Sequence, residues 1–63
     1  MPWNLHYYPP AMSHLPPAVR AKAIEIANAL LAQDRPEGQA IRIAIAAAKK
    51  WAREHPAGEA GPS

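Results

Sequence analysis

Sixty-three residues allow one domain at most, close to the lower limit at which a chain stabilises its own core. The absence of cysteine excludes disulfides and thiolate metal sites and fits a reducing compartment. A formal charge of only +2 gives a mild basic bias, and no apolar run approaches the roughly 20 residues of a membrane span.

The first fifteen residues, MPWNLHYYPPAMSHL, carry three of the four aromatic residues, Trp3, Tyr7 and Tyr8, among prolines that prevent an ordinary helix. The start lacks the charged-then-apolar layout of a signal peptide, so the sequence predicts a soluble, cytoplasmic protein. Leu15 precedes a proline and is biased to extended geometry. Pro16 and Pro17 suit the first positions of a helix, where no amide donor is needed. The run AVRAKAIEIANALLAQ then continues without Gly or Pro and predicts a helix over about 16–33. On its wheel Val19, Ala23, Ile26 and Leu30 share a line, Ile24, Ala27 and Leu31 flank it, and Lys22, Glu25 and Gln33 lie opposite.

The stretch DRPEG predicts a sharp break. Asp34 reads as the cap of a second helix over about 35–54, with Glu37 three residues on completing a capping pattern and Pro36 in the first turn. So short a connection makes the two helices a hairpin. The second helix has two apolar lines: Ile41, Ile45, Ala48 and Ala52, then Ile43, Ala47 and Trp51, with Ala40 and Ala44 between. Together they cover roughly 200°, about twice the stripe of an ordinary surface helix. One neighbouring helix cannot cover that arc. Two covers are available: the N-terminal segment, through Trp3, Leu5, Tyr7, Tyr8, Met12 and Leu15, or a second copy of the chain in a homodimer. Burying a large apolar side chain is worth roughly 1.5–3 kcal/mol, which favours the segment as an extended lid over the hairpin, and its prolines lower the entropy lost on ordering. The tail from Pro56, PAGEAGPS, is small and polar and reads as disordered.

The inventory for chemistry is thin. His6, His14 and His55 match no metal-ligand spacing. Ser13 adjoins His14 without an acid to orient it, Glu25 sits on a polar face, and Asp34 and Glu37 read as caps. No Gly-rich phosphate loop is present. The sequence therefore predicts no enzyme, no cofactor, no metal and no small-molecule substrate. Between Ile41 and His55, Arg42, Lys49, Lys50 and Arg53 meet a single acid, Glu54. Arg42, Lys49 and Arg53 recur on one helical face, which reads either as the solvated side every soluble helix needs or as a contact for nucleic-acid phosphates. Asn28, mid-helix beside the apolar face, either hydrogen-bonds the backbone of the lid or is exposed. Trp51 reads as an anchor for the lid or for a partner, as do Trp3, Tyr7 and Tyr8.

MPWN, then YPPAMSHLPPAVRAKAIEIANALL, then EGQAIRIAIAAAKKWA resemble a family of very short bacterial proteins of unknown function. From Leu15 onward, LPPAVRAKAIEIANALL followed by GQAIRIAIAAAKKW is also similar, more loosely, to the ChaB-like proteins. Ile45 stands where their pattern often carries tryptophan. The resemblance implies a compact helical bacterial module, supplies no catalytic residues, and carries the label of a regulator of cation transport. The combined expectation is an all-α hairpin under an N-terminal lid, acting as a binding or regulatory module through an unidentified protein partner or a second copy, with nucleic-acid binding as the alternative.

Overall fold

Pro16 has extended backbone (φ −57°, ψ 152°) and Pro17 opens the first helix, so the helix starts where proline's missing amide leaves nothing unsatisfied. In the computed structural model, which describes residues 3–4 and 6–55, this helix, α1, spans Pro17–Ala32, and a second, α2, spans Glu37–Glu54. The two pack on each other as an all-α hairpin, and no helix among the described residues is long and apolar enough to cross a membrane. The expectations for Leu5 and for the 56–63 tail lie outside the described residues.

The turn corrects the expected cap. Asp34 does not cap α2, whose N-cap is Pro36 without a side-chain bond. Asp34 is instead in the left-handed region, at φ 64°. Its amide donates to the Leu31 carbonyl at 2.9 Å, and the Arg35 amide donates to the Leu30 carbonyl at 3.2 Å. This pair of bonds is a Schellman motif, which closes α1 rather than opening α2. As a result α2 begins at Glu37, two residues later than the sequence predicts, and α1 ends at Ala32.

The centre of the hairpin is made of small residues. Ala23 and Ala27 of α1 and Ala40, Ala44 and Ala48 of α2 are buried, with Ile24 beside them. On α2 the most buried row therefore joins Ala40 and Ala44, expected between the two apolar lines, to Ala48, expected on the first of them. Ile41 and Ile45 pack against the core from one flank. Alanine at each fourth position lets two helix backbones approach closely but removes little apolar area per residue from water, so larger side chains must come from elsewhere.

They come from the N-terminal segment. Trp3, Met12 and Leu15 are buried in the same cluster as the helix alanines, and Tyr8 packs against it. The segment bends twice as it crosses the hairpin. The Asn4 and Tyr7 backbones exchange hydrogen bonds of 2.8 and 3.1 Å, and the Asn4 side-chain oxygen accepts the His6 amide at 2.7 Å. Pro10–Met12 forms a 3₁₀ turn. Two side chains of α1 fasten it. Asn28, 6% exposed, accepts the Trp3 amide at Oδ1 (3.3 Å) and donates from Nδ2 to the Trp3 carbonyl (2.9 Å), which decides between its two sequence readings. Arg20 donates from Nε to the Met12 carbonyl (3.2 Å) and from Nη2 to the Ser13 (3.2 Å) and Leu15 (2.7 Å) carbonyls. Its guanidinium also lies 4.9 Å from the Tyr8 ring centroid.

Candidate binding surfaces of the second helix

An 18-residue helix with one neighbour and one strap divides its circumference into three. The alanine row faces α1. Arg42, Lys49, Lys50 and Arg53 face away and are all exposed. Between them runs an apolar edge, Ile43, Ala47 and Trp51, which does not belong to the core cluster. Ile43 is 39% exposed while Ala47 and Trp51 are half-buried, so this second line is only partly covered. The cluster that contains the strap does not include it, contrary to the expectation that the strap serves as the cover there.

Trp51 is held by side chains that the sequence assigns elsewhere. Lys22, expected on the solvent side of α1, is half-buried, with its ammonium 5.6 Å from the Trp51 ring centroid. In an antiparallel hairpin the start of α1 lies beside the end of α2, and a lysine stem covers apolar surface while its charged end stays in water. The Lys22 Nζ also reaches Glu25 Oε1 at 3.0 Å, an exposed pair worth at most a few tenths of a kcal/mol. The His55 ring lies at a tilt to that of Trp51, with 5.7 Å between the ring centroids. Ala18, Ala21, Lys22, Glu25 and Trp51 together line a shallow, open groove.

The remaining aromatic candidates divide sharply. Trp3 is an internal anchor, 6% exposed, and Tyr8 is half-buried under Arg20, whereas Tyr7 is 68% exposed and adds nothing to the core. Among the described residues no group of three or more His, Cys, Asp or Glu is placed to hold a metal ion. Sequence reasoning missed Arg20 as the clamp of the strap. The available signal was an arginine one helical turn into α1, directly after a proline-rich segment whose carbonyls have few amide donors of their own.

The chain is similar to a known bacterial protein. It is 48% identical over 52 residues to YdaT of Bacillus subtilis strain 168, an uncharacterised protein. The aligned stretch covers 82% of this chain and 35% of YdaT, so the chain spans about a third of that relative's length. No family model matches the chain, and no solved structure matches it.

Proposed function

We propose that the protein is a non-enzymatic binding module that acts through protein–protein contacts, using the Ile43–Ala47–Trp51 edge of α2. The observation that carries this reading is the exposure of Ile43, two turns before a half-buried tryptophan, on a helix whose opposite flank, Ile41 and Ile45, is packed onto the core. Tryptophan in a partly closed setting is the kind of anchor that dominates interface energetics, because its large rigid surface is lost from water at little entropic cost. The likeness to a longer uncharacterised protein, of which the aligned stretch covers 35%, fits a small module that also occurs as part of a larger chain.

The test is Ile43→Lys, which places a charge in the edge without opening the core. Circular dichroism melting should stay within a few degrees of the parent. Sedimentation equilibrium of the parent separates a second copy from another protein as occupant: a concentration-dependent dimer that Ile43→Lys abolishes assigns the edge to self-association. If the parent is monomeric, a purified partner identified by affinity capture must bind it and lose at least tenfold with Ile43→Lys. Unchanged binding by that variant would falsify the edge as the contact.

A further inference from the structure

The fold sorts the seven basic residues into two groups. Arg20 is consumed by three carbonyls of the strap, and Lys22 is engaged with Glu25 and Trp51. The other five, Arg35, Arg42, Lys49, Lys50 and Arg53, are exposed, and among the described residues none of them forms an ion pair. Four lie on α2, where no acid occurs between Glu37 and Glu54. Arg42, Lys49 and Arg53 fall on one line, and at about 1.5 Å per residue the line is about 16 Å long.

We propose that this face of α2 binds the phosphate backbone of double-stranded nucleic acid without reading its sequence. Three features select that occupant. The face carries uncompensated positive charge over a straight, rigid length, which complements closely spaced phosphates. No large apolar side chain lies at its centre: Ala46 stands between the cations and the exposed Ile43 only borders the face at Lys50, whereas an acidic protein partner needs an apolar centre to its contact. No aromatic side chain lies within it either, since Trp51 is about 180° around the helix from Arg42. Single strands are held largely by stacking on such rings. Base recognition would need amide or hydroxyl side chains on the same face. Gln39 is the one amide on α2, and it is half-buried.

The experiment titrates the full 63-residue chain against a fluorescent 20-base-pair DNA duplex of arbitrary sequence from low salt upward. Four phosphate contacts give a log–log salt slope of about −3.6, or roughly a hundredfold loss of affinity between 50 and 200 mM salt. Arg42→Gln with Lys49→Gln, both exposed, should leave the melting temperature unchanged, reduce the slope by about two and weaken low-salt binding at least tenfold. Lys50→Gln with Arg53→Gln provides a second pair, should the first disturb folding. A scrambled duplex and a duplex RNA should bind comparably. The proposal is overturned by no binding at 50 mM salt, by a slope near zero, by parental binding in both double variants, or by tighter binding of a single strand or an acidic polypeptide than of the duplex.

Discussion

Asp34 holds a backbone conformation that costs an L-residue roughly 1–2 kcal/mol, less for Asp and Asn, and it places a negative charge at the negative end of the α1 dipole. Glycine removes both penalties, offset in part by its greater freedom in the unfolded chain. Asp34→Gly should therefore stabilise the protein by about 0.5–1 kcal/mol, or a few degrees in Tm, and Asp34→Asn by less. A lower midpoint for Asp34→Gly would mean that the residue serves in a different cap. The sequence misleads here because Asp-x-x-Glu before an apolar run is also the pattern of a helix start. Only the backbone bonds to Leu30 and Leu31 show that the aspartate closes the preceding helix. Asn28 illustrates the other limit. Its position beside the apolar face is legible, but its partner lies 25 residues away. A side-chain amide is one of the few groups that can satisfy both the N–H and the C=O of a single residue. Asn28→Ala would leave both Trp3 backbone groups buried without partners, at about 1–3 kcal/mol each. Asn28→Leu should be no better despite its apolar bulk. Urea denaturation measures this directly, and a loss below about 0.5 kcal/mol would mean that the Trp3 backbone finds other partners.

The two helices are the most legible elements, because prolines mark their starts and uninterrupted runs of good helix formers fill them. Which arc turns inward is less legible, because alanine fits both an exposed face and a close helix contact. Ala40 and Ala44 read as a bridge between apolar lines and Ala48 as part of one of them, when the three together are in fact the buried centre of the interface. That row predicts its own sensitivity. Ala44 is fully buried against α1, so Ala44→Leu, an improvement on any hydrophobicity scale, should overpack the contact and cost about 1–3 kcal/mol. Ala46, on the exposed side of the same helix, should accept leucine with a change within about 0.5 kcal/mol. Equal tolerance at both positions in thermal melts would mean that the helices are not in close contact there. The strap adds a further element-scale lesson. Proline and aromatic content foretell that it packs, but its docking depends on Arg20 and Asn28, two polar side chains of α1 whose roles appear only once the chain is folded back on itself.

For the molecule as a whole, the distribution of large side chains implies that strap and hairpin are one cooperative unit. A single core below about 70–80 residues rarely supplies more than 3–5 kcal/mol. The inward residues of the hairpin here are mostly alanines, each contributing little buried area. The strap supplies Trp3, Met12 and Leu15 to that same cluster, so removing it takes away much of the area that holds the helices together. If this is so, neither part should unfold ahead of the other. The protein carries its own reporters, since one of its two tryptophans lies in the strap and the other near the end of α2. Trp51→Phe leaves Trp3 reporting on strap docking, and Trp3→Phe leaves Trp51 reporting on the hairpin. Within each variant, the fluorescence transition in urea should coincide with loss of helical circular dichroism, as a two-state unit requires. Trp3→Phe should unfold at lower urea than Trp51→Phe, because it shortens a side chain that is 6% exposed, whereas Trp51 is only partly buried. The cooperative account fails if Trp3 becomes exposed in Trp51→Phe while the helical signal persists. That outcome would make the strap a separable lid over a hairpin that is stable without it.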